Sequence, residues 1–183
     1  PWPAPTAEQR SRLVRRHTDR VVGKRAKLPL AVAADRIAYP AMRCAVLLSQ
    51  LVPQLGAVQL ARDGSGRVCE VYPDAALRCW MPDAWVGPKP DSYKGDAASA
   101  LARREGLLAG LLDGLGAQFA ISEQQRAACV DSDDILDALV CALLARAVQL
   151  RRTLLPKAGE ETGRSLREGW IHLPDPDSLR DLV

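Results

Sequence analysis

Histidine, aromatic residues and paired cysteines are scarce in this chain of 183 residues, and each scarcity argues against a class of protein. With only two histidines and no CxxC pair, we do not expect a zinc site. The five cysteines are an odd number, which argues against a disulfide framework and favours buried thiols in a reducing compartment. No signal peptide is visible and no apolar run reaches about 18 residues. We therefore expect no membrane partner and a cytoplasmic location.

Two common catalytic patterns are also missing. The turn Asp63-Gly64-Ser65-Gly66 is not followed by a Lys-Ser or Lys-Thr pair, so it is not a phosphate-binding loop. His17 and His172 have no neighbouring motif that would complete a Ser-His-Asp set. Nucleophilic hydrolase chemistry of that kind is therefore not expected.

The composition is that of a helix-rich globular protein, because 48% of the residues are apolar and only 4% are aromatic. We predict one domain over residues 1–183. The net charge is only +3 but is unevenly placed: cations crowd the first 27 residues, whereas residues 131–137 carry only acidic charge. Such a chain could bind phosphate at one place and metal at another, although a solvated basic helix explains the first segment equally well. The basic residues are Arg10, Arg12, Arg15, Arg16, Arg20, Lys24, Arg25 and Lys27.

Hydrophobic spacing and capping residues predict mostly helices. Short β-prone runs flank the glycine-containing turn at 63–66, which indicates a hairpin. Residues 81–95 and 156–167 are predicted to be loops. The predicted helices run from a Thr6–Gln9 capping box to about residue 17, then over about 40–51, 74–80, 97–115 and 132–152, with a short one starting at Ser122.

Asp137 is the most informative single residue, because it lies one turn inside a helix that is otherwise almost entirely apolar. Asp131 or Ser132 can cap that helix, and Asp133 and Asp134 fall in its first turn, where the helix dipole favours anions. Asp137 shares a face with Asp133 and Asp134 but is too far along the helix for capping. A carboxylate in poorly hydrated surroundings is costly unless it meets a cation or strong hydrogen bonds.

Two kinds of cation would satisfy Asp137. Mg²⁺ or Mn²⁺ fits because hard divalent ions take oxygen ligands. The alternative is a salt bridge to an arginine, for which Arg103 and Arg43 are the candidates. A metal would indicate a catalytic or binding site, whereas an arginine would indicate a purely structural role.

Glu70 is the second unusual carboxylate. In the predicted strand it points the same way as Val68 and Tyr72, because side chains alternate along a strand. A charge in the middle of an apolar strand lies either at a solvent-facing edge or in a site. Together with Asp137, Glu70 suggests carboxylates from a strand and a helix converging on a metal ion.

Several segments of the sequence, taken in order, resemble a known family. Together they resemble a domain-of-unknown-function family that is predicted to consist of RNase H-like nucleases, and the resemblance covers nearly the whole chain. The segments are HTDR (17–20), AADRIAYPAMR (33–43), the Arg62-Asp63-Gly64 turn, EVYPDAALRCW (70–80), SYKGD (92–96), SDDILDALVCALLARA (132–147) and EGWIHLP (168–174).

The resemblance implies an RNase H-like α/β fold, with a mixed sheet flanked by helices. It also implies a metal-dependent nuclease, in which Mg²⁺ or Mn²⁺ activates water and stabilises in-line attack on a phosphodiester of DNA or RNA. Glu70 matches the strand carboxylate of the family, and Asp134 and Asp137 match the helix carboxylates. These three residues are therefore the expected metal ligands and catalytic residues. Lys94 matches the lysine of the YKG motif and is expected to steady a phosphate, unless it only solubilises its loop.

The sequence departs from the family pattern at its beginning. The opening strands of the family, with a Gly-Ile-Asp carboxylate and a later Asp-Ala-Pro, are not found, and Pro1-Trp2-Pro3 resembles the stretch after the second of them. We therefore expect a domain that lacks its first strands. The alternative function is a non-catalytic RNase H-like binding or scaffold module with a degenerate site. Apolar helix faces left uncovered would be covered by the absent segment or by a partner chain, as in a homodimer.

Overall fold

A computed structural model of the chain describes Thr6 and residues 14–31, 37–56, 60–86 and 92–183. The two short strands form a parallel sheet. The predicted α/β class and helix-rich character are therefore confirmed. In chain order the elements are α1 (His17–Gly23), α2 (Ala38–Leu55), β1 (Glu70–Val71), α3 (Pro73–Trp80), α4 (Ala98–Leu115), α5 (Glu123–Asp131), α6 (Asp133–Gln149), α7 (Glu160–Glu168) and β2 (Ile171–His172), with 3-10 helices at Pro82–Trp85 and Ser178–Leu182.

The chain divides into two compact units. The first comprises Pro1–Glu70 with Leu155–Ile171, and the second comprises Val71–Leu154 with His172–Val183. The division passes through both strands, so each strand contributes one residue to each unit. The prediction of one domain over residues 1–183 stays a prediction.

The core of the second unit is formed by α3, α4, α5 and α6 together with the C-terminal 3-10 helix. Its buried apolar residues recur at helical spacing on α4 and α6, as the sequence predicts. Each fully buried leucine contributes about 2 kcal/mol of hydrophobic stabilisation. The core therefore gives firm support to the segments at the N-terminal ends of α4 and α6. Its members include Leu107, Leu108 and Leu111 on α4 and Leu136, Val140 and Leu144 on α6.

The first unit is held mainly by contacts between α1 and α7. The ring of Trp170, which is buried, stacks on that of His17 at 6.5 Å between centroids. The hydroxyl of Thr18 accepts a hydrogen bond from the backbone N–H of Ile171 at 2.8 Å. Helix α2, in contrast, buries none of its residues.

Several boundaries follow the sequence predictions. Ser122 and Ser132 cap α5 and α6, each accepting a hydrogen bond from the N–H three residues later. At the predicted hairpin turn, Gly64 has a φ of +83° and Asp63 forms an antiparallel bridge with Cys69.

Other predictions need correction or lie outside the described residues. Residues 156–167 were expected to form a loop, but α7 begins at Glu160. This helix is polar and contains an ion pair between Glu160 and Arg164, one turn apart, which supports a helix without an apolar face. Of the five cysteines only Cys129 is buried. Most of the capping-box helix predicted from Thr6 lies outside the described residues. None of the described helices is both long and apolar enough to cross a membrane.

Candidate functional site

The N-terminus of α6 presents two carboxylates on one face. Ser132 caps the helix, and its hydroxyl oxygen accepts a hydrogen bond from the N–H of Ile135 at 3.4 Å. Asp133 follows in the first turn and Asp137 lies one turn later, so their side chains point the same way. Leu136, on the core side of the helix, is fully buried. Asp133 and Asp137 therefore lie at the edge of the core, with side chains 26% and 25% exposed.

The segment that precedes α4 reaches these carboxylates. Tyr93 is buried, and its hydroxyl donates to Oδ1 of Asp137 at 2.9 Å. Nζ of Lys94 donates to Oδ2 of Asp137 at 2.5 Å and lies 3.8 Å from Oδ2 of Asp133. The backbone N–H of Gly95 donates to the same Asp133 oxygen at 3.2 Å. Tyr93, Lys94, Asp133 and Asp137 are called the Asp137 cluster below.

Two tyrosines near Asp137 have raised pKa values. Burial raises the pKa of Tyr93, and the negative charge of Asp137 and its hydrogen bond to the phenol raise it further. Burial also raises the pKa of Tyr72 to about 12, with the charge of Asp74 as the next cause and that of Asp137 as a smaller one. The phenol of Tyr93 therefore stays protonated at neutral pH and acts as a fixed donor to Asp137.

Glu70 lies in the first unit, where Arg16 holds both of its carboxylate oxygens. Nη1 of Arg16 donates to Oε2 at 2.8 Å and Nη2 donates to Oε1 at 2.6 Å. Nη2 also donates to Oδ1 of the buried Asp19 at 2.9 Å. Burial alone would lower the pKa of Arg16, but the hydrogen bonds and charges of Glu70 and Asp19 outweigh it and raise that pKa. Arg16, Asp19 and Glu70 are called the Arg16 cluster below.

The backbone around Gly169 closes the Arg16 cluster on one side. Gly169 has a φ of +82°, and a Cβ at this position would lie 3.0 Å from Oε2 of Glu70. The carbonyl oxygen of Glu168 accepts a further hydrogen bond from Nη1 of Arg16 at 3.2 Å. Glu70 is thus bound by a guanidinium group and lies beside backbone that leaves little room for a side chain at position 169, although its own side chain stays 28% exposed.

A family model for proteins of unknown function, DUF429, matches residues 2–161. The chain belongs to the DUF429 family. No curated protein and no solved structure matches it. Both clusters lie inside the DUF429 match, whereas Glu168 and Gly169 lie beyond it.

The DUF429 chain brings two of its four predicted site residues into contact, namely Lys94 and Asp137. Asp133, which the sequence assigns to helix capping, joins them. Asp134 is exposed in the first turn of α6, and Glu70 belongs to the first unit. In the part of the chain that the structure describes, no group of three or more His, Cys, Asp or Glu side chains is arranged to hold a metal ion. The convergence of Glu70, Asp134 and Asp137 on one ion stays a prediction.

The cation that meets Asp137 is Lys94, and not either of the arginines considered from the sequence. Arg103 instead donates to the carbonyl oxygen of Ala84, and its guanidinium lies 4.6 Å from the centre of the Trp85 ring. The arginine salt bridge considered from the sequence is therefore wrong, since Asp137 forms its ion pair with Lys94.

Tyr93 and Arg16 escape sequence-based prediction for different reasons. Tyr93 stands beside Lys94 in the SYKGD segment, so the family motif gives a signal that could have found it. Arg16 is one of many basic residues in its region, and its partner Glu70 lies 54 positions away. No local pattern identifies such a pair.

The basic segment that precedes residue 28 is only partly described. Arg10 and Arg12 lie outside the described residues. Arg16 binds Glu70 and Asp19, whereas Lys24 and Arg25, which follow α1, are exposed.

Proposed function

We propose that this DUF429 chain is a metal-dependent nuclease that hydrolyses phosphodiester bonds in DNA or RNA and has an RNase H-like fold. The observation that carries the proposal is the convergence of two carboxylates on one cationic group. Oδ2 of Asp133 and Oδ2 of Asp137 lie 3.8 and 2.5 Å from the ammonium of Lys94. Two carboxylates that face one point in this way provide the ligand type that Mg²⁺ prefers.

The Asp137 cluster fits a divalent ion in its ligand chemistry. Mg²⁺ is commonly held by only one or two carboxylates, together with water and substrate phosphates, so Asp133 and Asp137 are sufficient protein ligands. The side chain of Lys94 is flexible and 41% exposed, so its ammonium can leave Asp137 when an ion binds. Bound Mg²⁺ or Mn²⁺ would supply an activated water and charge stabilisation. The proposed roles of Glu70 and Asp134 as further ligands rest on the family resemblance alone.

The groups of the protein itself have separate tasks in this proposal. The hydroxyl of Tyr93 holds Oδ1 of Asp137 and fixes the orientation of that carboxylate. Lys94 neutralises Asp137 before substrate binds and a phosphate afterwards. The exposed Lys24 and Arg25 would make salt-dependent contacts with the nucleic-acid backbone. We place this activity in the cytoplasm.

The substitution Asp137→Asn tests the proposal, because it keeps the shape of the side chain and removes its charge. We expect divalent-ion-dependent cleavage of labelled DNA or RNA oligonucleotides to fall about 100-fold. Asp113→Asn is the matched control, since Asp113 is an exposed aspartate on α4. Unchanged cleavage by a folded Asp137→Asn protein would contradict the proposal.

The second candidate is a non-catalytic binding or scaffold module, which a specific observation favours. Both oxygens of Glu70 are held by Arg16, and both oxygens of Asp137 are held by Tyr93 and Lys94. Carboxylates satisfied in this way need no metal. Thermal melting with and without Mg²⁺ separates the two candidates. The nuclease predicts a higher midpoint with Mg²⁺ that Asp137→Asn abolishes, whereas the binding module predicts no change.

A further inference from the structure

Arg104 is the most deeply buried charged residue of the described chain, with 1% of its surface exposed. It lies in the middle of α4, among leucines that form the core. A guanidinium in such surroundings is costly unless its N–H groups are satisfied. None of the carboxylates that the structure describes forms a hydrogen bond or salt bridge with it. Its partners are backbone carbonyl oxygens.

These carbonyl groups belong to two separate segments. Nη1 donates to the carbonyl oxygens of Tyr93 and Gly95, each at 2.8 Å. Nε donates to the carbonyl oxygen of Val130 at 2.6 Å, and Nη2 donates more weakly to that of Asp131 at 3.4 Å. Val130 and Asp131 are the last residues of α5, whose carbonyl groups lack partners within the helix and carry the negative end of its dipole. The positive charge of Arg104 is therefore compensated by peptide dipoles.

The two segments that Arg104 joins carry the Asp137 cluster. One contains Tyr93 and Lys94. The other ends one residue before the cap of α6 and so sets the position of Asp133. Arg104 therefore links the segment that carries Lys94 to the helix junction that precedes Asp133.

We propose that Arg104 is a positioning residue that holds the 93–95 segment against the junction of α5 and α6, so that Lys94 faces Asp133 and Asp137. The catalytic consequence rests on the nuclease proposed above, but the positioning itself does not. Lysine cannot replace Arg104, because one ammonium cannot reach carbonyl groups on both sides as a planar guanidinium does.

Arg104→Lys tests the positioning without relying on cleavage. The N–H of Gly95 donates to Asp133, so its hydrogen exchange reports whether the segment is in place. We expect this exchange to become about tenfold faster, while amides in the middle of α4 and α6 stay protected. A change that is equal at Gly95 and in the core would indicate a merely structural role and would overturn the proposal, as would no change at all.

Cleavage kinetics give the second readout. If Arg104 acts through Lys94, then Arg104→Lys should lower kcat as much as Lys94→Ala does, and the double variant should be no slower than either single one. Additive losses would show that Arg104 does not act through Lys94. If the wild-type protein does not cleave nucleic acid, the nuclease proposal fails, whereas the exchange of the Gly95 amide still decides the role of Arg104.

Because Arg104→Lys risks unfolding the core, a second variant tests the contact between Arg104 and the 93–95 segment by changing a surface residue. Gly95 is exposed, has a φ of +90° and has open space around its missing Cβ. Gly95→Ala should therefore displace the segment while the core stays intact. In this variant we expect the guanidinium protons of Arg104 to exchange faster by NMR. Exchange as slow as in the wild type would show that the segment and Arg104 are not linked.

Discussion

The Arg16 cluster and the Asp137 cluster hold a partly exposed carboxylate in different ways. Glu70 receives two parallel hydrogen bonds from a planar guanidinium that also binds the buried Asp19. Asp137 receives one hydrogen bond from a neutral phenol and one from a flexible ammonium. A guanidinium fork fixes both distance and orientation, whereas an ammonium acts as a point charge that can move away.

This difference predicts that Asp137 exchanges its cation more easily than Glu70 does. Removing Arg16 would leave the buried Asp19 without its cation. Separating Arg16 from its two carboxylates therefore requires a large free energy. Removing Lys94 would leave Asp137 with its tyrosine and with access to solvent. We therefore expect added cations to compete for Asp137 far more readily than for Glu70.

The largest expected effect is that of Arg16→Ala. The substitution leaves Asp19 buried without a cation and Glu70 without both hydrogen bonds, so we expect a loss of about 2–3 kcal/mol in the free energy of unfolding. Chemical denaturation measures it, with the exposed Arg25→Ala as the control, for which we expect a change within about 0.5 kcal/mol. A loss as small as that of the control would show that the Arg16 cluster is held no more firmly than the Asp137 cluster.

The next effect compares two glycines with similar φ angles. Gly169 and Gly95 both have a positive φ, but a Cβ at Gly169 would meet Glu70, whereas one at Gly95 meets nothing within 4 Å. Backbone strain alone costs about 1–2 kcal/mol, so both alanine variants should be destabilised. We expect Gly169→Ala to lose about 1 kcal/mol more than Gly95→Ala, because of the added contact. Equal losses in chemical denaturation would show that Glu70 can move aside.

Lys94→Ala should have a smaller effect on stability. The Lys94 side chain is 41% exposed, so its ion pair with Asp137 is screened by solvent and is worth about 0.5 kcal/mol or less. Raising the salt concentration should shrink that difference further. If Lys94→Ala destabilises the protein as much as Arg16→Ala does, the Asp137 cluster is a locked structural pair like the other.

What the sequence could predict in these clusters was local. Residues close in sequence offer Asp131 or Ser132 as the cap of α6, and the structure has Ser132. They also place Asp133 and Asp137 on one helix face, which the structure confirms. The contact of Lys94 with Asp137 joins residues 43 positions apart, and that of Arg16 with Glu70 joins residues 54 apart. Such pairs depend on packing that no local pattern records.

The helix α7 shows the same limit at the level of fold. Its sequence has no apolar face, so hydrophobic spacing predicts a loop, and the ion pair between Glu160 and Arg164 is visible only once a helix is assumed.

Arg104 lies in a helix that the sequence does predict, but its burial is not predicted. Its position fits the buried stripe of α4, but an arginine at such a position is ordinarily assigned to the surface. Only the carbonyl groups around it explain its burial.

The smallest effect at neutral pH concerns the phenol that orients Asp137. The pKa of Tyr93 is raised in the folded protein, first by burial and then by Asp137. An unfolded tyrosine ionises near pH 10, to a first approximation. The stabilisation by Tyr93 is therefore fully present below about pH 10 and is lost as the pH rises towards the folded pKa. The free energy of unfolding of the wild type, relative to Tyr93→Phe, should decrease above that pH.

The coupling between Tyr93 and Asp137 can be tested separately by measuring the pKa of Tyr93 from its absorbance at 295 nm. Asp137→Asn should lower this pKa without restoring its ordinary value, because the burial of Tyr93 remains. A pKa unchanged by Asp137→Asn would mean that Tyr93 and Asp137 are not coupled, and the orienting role of Tyr93 would be lost.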